Sequence, residues 1–213
     1  MEARHKYLSV NFLATVSLTT ISYFFIDKPV AFFCRTLDQR IVDIFQWITV
    51  LGHSTGYLIS FFLLFLFFKF YNHRRHYANR SLFLFVAVAL SGIVANIVKI
   101  IVARYRPMML FEANLYGFDF FRIGHEYNSF PSGHVTTVFS IAAALSLFFP
   151  KYWAPFFVYA LVVSASRVII DTHFVGDVIA GAYIGVTTVL FLAWLYRRYE
   201  SPHFDIRAQN RFF

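Results

Sequence analysis

Long apolar runs separated by short polar stretches divide the chain into six segments of about membrane-spanning length. They cover residues 8–26, 54–70, 81–103, 133–149, 152–170 and 174–196. About 20 apolar residues in a helix are needed to cross the hydrocarbon core of a bilayer. Between the first two runs, residues 41–52 carry a polar side chain at every third position, which is typical of a short helix lying in the membrane interface. The pattern predicts an all-α fold: a polytopic membrane helix bundle with six transmembrane helices plus a short interfacial helix.

The composition agrees with a membrane protein. Of the 213 residues, 59% are hydrophobic and 14% are charged, whereas a soluble domain carries roughly 25% charged residues. The length suits a single integral-membrane domain over residues 1–213 without a separate soluble domain. The first apolar run lacks a small-x-small cleavage site and is interpreted as a membrane anchor. The lone Cys34 excludes an internal disulfide and is typical of a packing residue.

The basic residues predict the orientation of the bundle. With a cytoplasmic N-terminus, 11 of the 19 Lys and Arg residues fall on the inner side. The cluster from Lys69 to Arg80 and the pair Arg197–Arg198 contribute most, so we predict that both termini are cytoplasmic. The net charge of +8 therefore reflects orientation and attraction to lipid headgroups. No basic patch alternates with aromatic residues in a soluble segment, so nucleic-acid binding is not expected.

Gly181 and Gly185 form a GxxxG pattern on the last apolar run. Such glycines allow two helices to approach closely. Packing within the bundle is one interpretation, and a contact between two copies in a homo-oligomer is the other.

Three polar stretches are predicted to meet at the outer boundary of the bundle. The third span ends with KIIVARYRP, the fourth opens with PSGH, and SRVIIDTHFVGD joins the fifth to the sixth. Lys99 and Arg106 are seven positions apart, so on a continuous helix they share a face about 10 Å apart along the axis, before Pro107 turns the chain away. On their own, these cations would be typical of side chains that snorkel to the interface.

The PSGH stretch predicts an anion site. The backbone N–H groups of Ser132, Gly133 and His134 stand at a helix N-terminus, where they and the helix dipole favour a negative charge. The alternative is that Ser132 is an ordinary helix cap.

The third stretch predicts a nucleophile. Asp177 follows His173 by four residues, a spacing that places the carboxylate beside the imidazole on one helical face. There the carboxylate can accept the N–H of one ring nitrogen and leave the other nitrogen as a nucleophile. Arg167 lies six residues before His173. Together the three stretches form a cationic cup that fits a tetrahedral anion such as phosphate.

No metal or other cofactor is predicted for this cup. The chain has no HExxH motif, no cysteine pair and no cluster of carboxylates among these stretches. Cations and helix N–H groups can stabilise the charge that a metal would otherwise stabilise.

The three stretches resemble the signature of the type-2 phosphatidic acid phosphatase superfamily: K-x6-RP, then PSGH, then SR-x5-H-x3-D, all within residues 99–177. The resemblance implies a metal-independent, all-helical phosphohydrolase related to the vanadium-dependent haloperoxidases. It implies that His173 attacks phosphorus to form a phosphohistidine and that Asp177 orients His173. It also implies that His134 protonates the leaving oxygen and later activates water. The residues implied to hold the phosphoryl oxygens are Lys99, Arg106, Ser132, Gly133 and Arg167.

A cup at the rim of a membrane bundle suits a phosphate whose apolar tail stays in the bilayer, so the expected partner is a membrane lipid phosphate. Residues 108–130 are rich in aromatic side chains and are predicted to form a lid or groove over the lipid chain. With the active site on the periplasmic side of the inner membrane, undecaprenyl diphosphate is the first candidate. Phosphatidylglycerophosphate, phosphatidate and a lipid A phosphate are alternatives.

A lipid or anion transporter with a phosphate site is the alternative of another class. Transport would call for broken helices and charges near the membrane midplane, whereas the motif charges lie at one rim. A haloperoxidase is disfavoured because those relatives are soluble. An inactive homologue is disfavoured because no motif residue is missing.

Overall fold

The computed structural model describes the backbone of residues 2–199 and the side chains of residues 10–198. Part of the charge count that predicts the orientation falls outside the described side chains. Helices make up almost all regular structure, and no strand occurs between residues 2 and 199, which confirms the all-α class. The helices are α1 Glu2–Ile21, α2 Asp27–Cys34, α3 Gln39–Val50, α4 Ser54–Leu66, α5 Arg75–Val102, α6 Pro107–Glu112, α7 Gly133–Phe148, α8 Trp153–Ile169 and α9 Val175–Tyr199.

Five helical segments of the described chain are long and apolar enough to cross a membrane. They are Val10–Cys34, Gln39–Tyr71, Arg75–Val102, Pro150–Ile169 and Val175–Arg198. In the first two segments, only 11% and 6% of the most apolar 18-residue stretch is buried inside the protein. Their apolar side chains are therefore left to face lipid. The protein is therefore an integral membrane protein.

The predicted fourth span is shorter than the others. Its helix, α7, has 16 residues and a length of about 24 Å, less than the roughly 30 Å of the hydrocarbon core. The predicted interfacial helix is present as α3, which packs against α8. The count of six spans and the position of α3 relative to the bilayer stay predictions.

Helix α7 forms the centre of the bundle and contacts α5, α8 and α9. All residues from Val135 to Ala144 are buried, as expected for a helix that is apolar or small on every side. Two clusters of buried side chains surround it: one around Phe83 and Phe148, the other around Val138 and Val163. The N-terminus of α7 is thereby held firmly against the ends of its neighbours.

The GxxxG glycines bring α9 against α7. A Cβ atom at Gly181 would lie 2.7 Å from the carbonyl oxygen of Ser132, and one at Gly185 would lie 2.6 Å from that of Thr136. Both contacts are closer than any side chain tolerates, so only glycine fits. The glycines thus pack within the bundle, and a contact between copies of the chain stays a prediction.

Candidate active site

The functional side chains predicted from the sequence meet at one end of the bundle. Four parts of the chain converge there: the end of α5, the start of α7, the turn between α8 and α9, and the segment of residues 103–131. That segment is held by backbone hydrogen bonds, including Arg106 N–H to the Glu126 carbonyl at 2.9 Å and Ser129 N–H to the Arg104 carbonyl at 3.1 Å. It therefore forms an ordered wall rather than an open loop.

His173 is almost completely buried, with 3% of its surface exposed. It lies in the turn before α9, where its backbone N–H donates to the Arg167 carbonyl at 3.1 Å. Its Nδ1 lies 2.7 Å from the Ser129 carbonyl oxygen. Because a carbonyl oxygen can only accept, Nδ1 carries the proton and Nε2 keeps its lone pair. Burial lowers the pKa of His173 to about 3, so the ring is neutral near pH 7.

Asp177 contacts His173 differently from the predicted arrangement. His173 precedes α9, so the two residues do not share a helical face. Asp177 Oδ2 lies 3.6 Å from His173 Nδ1, an ion-pair distance too long for a good hydrogen bond. Oδ2 instead accepts from Ser129 Oγ at 2.6 Å and from the Phe174 N–H at 2.8 Å. Ser129 thus connects the pair: its carbonyl accepts from His173 and its hydroxyl donates to Asp177.

Lys99 and Arg106 reach the site by different routes. Helix α5 ends at Val102, and Ala103 adopts a left-handed conformation with φ of 43°. Arg106 has extended backbone, so the predicted common helix face is wrong. Lys99 Nζ, from the last turn of α5, donates to the Asn128 carbonyl at 2.8 Å. Burial lowers the pKa of the half-buried Arg106, while the nearby Asp177 carboxylate opposes that shift.

The start of α7 supplies the anion-binding part of the site. The Ser132 N–H, which was predicted to be free, donates to the Asp177 carbonyl at 3.0 Å. The first helical residues are Gly133 and His134, whose N–H groups have no acceptor one turn earlier. Gly133 faces Lys99, since a Cβ atom there would lie 3.9 Å from Lys99 Cε.

Several buried polar atoms around this cup have no hydrogen-bond partner among the described residues. Four of them belong to predicted phosphate-binding or catalytic residues: Arg106 Nε, Ser132 Oγ, His134 Nε2 and Arg167 Nε. Buried polar groups are normally paired, and each exception calls for an explanation. The two guanidinium N–H groups and the Ser132 hydroxyl can donate to an oxygen, so a tetrahedral oxyanion matches their chemistry.

Among the described side chains, residues 10–198, no group of three or more His, Cys, Asp or Glu is arranged to hold a metal ion. The charged groups of the cup are instead Lys99, Arg106 and Arg167, with Asp177 behind the imidazole.

The sequence profile of the PAP2 superfamily matches residues 80–201, more than half of the chain. The chain belongs to the PAP2 superfamily. This confirms the resemblance carried by the three motifs, all of which fall inside the matched range.

Curated relatives of this PAP2 protein include two from Rhizobium. The Lipid A 1-phosphatase of Rhizobium etli is 37% identical over 116 residues, or 54% of this chain and 50% of the relative. The Lipid A 1-phosphatase of Rhizobium johnstonii is 36% identical over 116 residues, or 54% of this chain and 48% of the relative. The Bacitracin transport permease protein BcrC of Bacillus licheniformis is 42% identical over 73 residues, or 34% of this chain and 36% of that protein. The chain spans about half the length of the Rhizobium relatives it matches.

Two solved structures share the fold of this PAP2 protein. The crystal structure of Aquifex aeolicus LpxE superposes with a TM-score of 0.60 at 24% identity, covering 82% of this chain and 98% of that one. The PAP2 type phosphatidylglycerolphosphate phosphatase from Bacillus subtilis superposes with a TM-score of 0.67 at 22% identity, covering 90% and 96%. At these identities the similarity shows a common fold.

Sequence reasoning missed the part of the site that lies before the matched range of the PAP2 profile. Arg167 Nη1 donates to Thr49 Oγ1, at the end of α3. The His53 ring stacks edge-on against His134, with centroids 4.5 Å apart. A Cβ atom at Gly52 would lie 2.7 Å from His134 Cδ2. The α3–α4 turn therefore forms a wall of the site, a contact that no local sequence pattern encodes.

Sequence reasoning also missed a buried ion-pair network behind His173. Arg104 Nη1 contacts Asp177 Oδ1 at 2.7 Å, and Arg104 Nη2 contacts Asp27 Oδ2 at 2.6 Å. Burial alone would lower the pKa of Arg104, but the two carboxylates raise it above its ordinary value. One signal was available: Asp27 is the only acidic residue between Glu2 and Asp38, and an acid inside an apolar span calls for a partner.

The aromatic segment 108–130 borders a groove of about 360 Å³ between itself and α1. The side chains that line the groove include Val16, Thr19, Tyr23, Phe24, Phe118 and Phe130. Arg104 also lines the groove. Phe130, another lining residue, precedes Ser132 of the PSGH motif by two positions. Its apolar lining has the chemistry of the predicted lipid-chain groove, whose role stays a prediction.

Proposed function

We propose that this PAP2 protein is a membrane lipid phosphatase that forms a phosphohistidine on His173. The observation that carries the proposal is the neutral, buried imidazole whose Nδ1 proton is held by Ser129. Its Nε2 lone pair is free to attack, because the hydrogen bond at Nδ1 fixes the tautomer. The unpartnered polar atoms of Arg106, Ser132 and Arg167 support an oxyanion as the group attacked.

The reaction proceeds in two balanced steps. In the first, His173 Nε2 forms a bond to phosphorus as the bond from phosphorus to the lipid oxygen breaks, and protonated His134 gives its proton to that oxygen. The bound anion stabilises the protonated imidazole that this step requires of His134. In the second step, His134 takes a proton from water, the oxygen of water bonds to phosphorus, and the N–P bond breaks. Inorganic phosphate leaves, and both histidines return to their starting states.

Charge stabilisation comes from fixed groups. Lys99, Arg106 and Arg167 are cationic, and the Gly133 N–H points from the N-terminus of α7. Groups held in place before the reaction stabilise developing charge without the cost of reorganisation. Asp177, at 3.6 Å from Nδ1, stabilises the positive charge that the ring of His173 gains when Nε2 bonds to phosphorus.

The proposed substrate is a lipid phosphate or diphosphate of the bacterial envelope. Undecaprenyl diphosphate, phosphatidylglycerophosphate, phosphatidate and a lipid A phosphate all place a phosphate at the rim of the bilayer. The Rhizobium relatives named Lipid A 1-phosphatase favour a phosphorylated glycolipid over the undecaprenyl diphosphate expected from the sequence. The transporter alternative is disfavoured because the charged side chains of the cup gather at one end of the bundle.

We further propose that the active site faces the outside of the cytoplasmic membrane. Arg80 and Lys99 are 19 positions apart on α5, or about 28 Å, so they stand near opposite faces of the bilayer. The basic cluster that ends at Arg80 favours the cytoplasm for its own face.

The test is phosphate release by purified protein in detergent from the four lipids, with and without EDTA. We expect release from at least one lipid, unchanged by EDTA, and none by His173→Ala. His76→Ala, at the opposite end of the bundle, is the matched histidine control and should keep wild-type activity. Release by His173→Ala at a near-normal rate would overturn the assignment of the nucleophile. Loss of activity in EDTA that Mg²⁺ restores would overturn the metal-independent mechanism.

A further inference from the structure

A buried triad of charges joins α2 to the catalytic pair. Arg104 lies between Asp27 and Asp177, at 2.6 and 2.7 Å, and all three residues are at most 1% exposed. The other oxygen of Asp27 accepts from Ser22 Oγ at 2.6 Å and from the Gly176 N–H at 2.9 Å. Asp27 is thus fixed against the backbone of α9 one residue before Asp177.

The triad carries one net negative charge, since one guanidinium stands between two carboxylates. This matters because the imidazole ring becomes positive when Nε2 of His173 bonds to phosphorus. The nearest anion is Asp177, 3.6 Å from Nδ1. If Arg104 were balanced by Asp177 alone, the two would form a neutral pair, and their field at the ring would be much weaker.

We propose that Asp27 is a positioning residue that balances the charge of Arg104, so that Asp177 retains a net negative charge to stabilise the cationic ring of His173. Asp27 does not touch the substrate and acts through Arg104 and Asp177. The inference rests on the proposed phosphohistidine chemistry and extends the site to α2, which lies before the range matched by the PAP2 profile.

A purely structural role makes a different prediction, so the two can be separated. If the triad only ties α2 to α9, removing a second member of it adds further damage, because a buried charge without its partner is costly. If charge balance matters, Asp27→Asn leaves a neutral Arg104–Asp177 pair, and Asp27→Asn/Arg104→Gln restores the single negative charge of Asp177. The double variant should then exceed the single variant in stabilising the cationic ring.

The experiment compares two inorganic anions by calorimetric titration of the purified protein in detergent. Vanadate forms a bond to a histidine nitrogen and makes the ring positive, whereas inorganic phosphate binds without such a bond. We expect Asp27→Asn to weaken vanadate binding roughly tenfold and phosphate binding by less than about twofold. The double variant should recover most of the lost vanadate affinity. With a lipid that is turned over, kcat should follow vanadate affinity while KM stays near the wild-type value.

Arg35→Gln is the matched control. Arg35 also joins the end of α2 to the α8–α9 connection, through Asp171 at 3.1 Å, but neither residue is hydrogen-bonded to Arg104, Asp177 or His173. Because the pair is partly exposed and shares no hydrogen bond with these three residues, Arg35→Gln should leave both affinities unchanged. If Asp27→Asn fails to fold, Ser22→Ala removes the hydrogen bond that holds Asp27 without changing a charge, and a smaller, vanadate-selective loss is expected.

Three results would overturn the inference. The first is wild-type vanadate affinity in Asp27→Asn or, where that variant fails to fold, in Ser22→Ala. The second is an equal loss of affinity for vanadate and phosphate, and the third is a double variant that binds vanadate more weakly than Asp27→Asn. Failure of the proposed function is distinguishable. If the wild-type protein binds vanadate through His173 but hydrolyses none of the lipids, the lipid phosphatase assignment fails, while the vanadate affinities still decide the role of Asp27. No vanadate binding by the wild-type protein would overturn both.

Discussion

Gly181→Ala should damage catalysis through a displacement that the structure allows us to size. The added Cβ atom would lie 2.7 Å from the Ser132 carbonyl oxygen and 3.2 Å from Val135 Cβ. The first contact is about 0.7 Å shorter than ordinary van der Waals contact, so α9 and the start of α7 must separate by about that distance. The Ser132 carbonyl also accepts the first backbone hydrogen bond of α7, from Thr136 N at 3.0 Å. The displaced part of the chain is therefore the PSGH motif itself, which we propose binds the phosphate.

A shift of this size has two measurable costs. Overpacking of a well-packed interior costs about 1–3 kcal/mol of the free energy of unfolding. Misplacement of catalytic groups by about 1 Å lowers the rate by roughly a hundredfold, so a fall in kcat/KM of about ten- to a hundredfold is expected here. The assays are phosphate release from the active lipid and thermal unfolding in the same detergent.

Two glycine variants serve as controls for Gly181→Ala. Gly185→Ala creates a similar clash one turn further along α9, at 2.6 Å from the Thr136 carbonyl oxygen. It should destabilise the protein comparably and lower kcat/KM less. Gly92→Ala, on α5, meets nothing within 4 Å and should leave activity unchanged. Activity of Gly181→Ala within about twofold of wild type, despite the expected loss of stability, would refute the argument that this contact positions the motif.

Two further predictions concern the site and its orientation. His173 should stay neutral from pH 8 down to about pH 5, because burial lowers its pKa to about 3. A titration midpoint near 6.5 for His173, in NMR spectra of histidine-labelled protein, would contradict the buried geometry. In a Cys34→Ser background, Ala113→Cys should react with a membrane-impermeant maleimide in intact cells and Asn72→Cys should not, since both positions are exposed and lie at opposite ends of the bundle. Labelling of Asn72→Cys alone would show that the active site faces the cytoplasm.

The helices and the cup could be predicted from the sequence because their signals are local. Apolar runs bounded by charges predict most helix ends to within a few residues. Because successive spans alternate in direction, the ends of α5 and α8 and the starts of α7 and α9 lie at one face. The motif side chains stand at those ends. The profile match confirms the family, and the shared fold agrees with the all-α class.

The finer geometry could not be predicted because it depends on loop conformation and distant contacts. The left-handed Ala103 ends α5 and takes Arg106 off the helix. His173 turns toward the Ser129 carbonyl because it precedes α9. Asp27 and Arg104 are 77 positions apart, and nothing in the spacing of either residue indicates the other.

The division of the site between two parts of the chain has a consequence for the exchange of segments between members of the superfamily. Residues 80–201 contain the three motifs described above. Outside that range, Asp27 and Thr49 bond to Arg104 and Arg167, and Gly52 lies against His134. A chimera that joins this C-terminal part to the first helices of another member would keep the motifs but lose Asp27, one of the two carboxylate partners of Arg104, and Thr49, the hydrogen-bond partner of Arg167. We therefore expect functional exchange among members only when Asp27 and Thr49, or residues of equivalent charge and hydrogen bonding, are transferred together with the motifs.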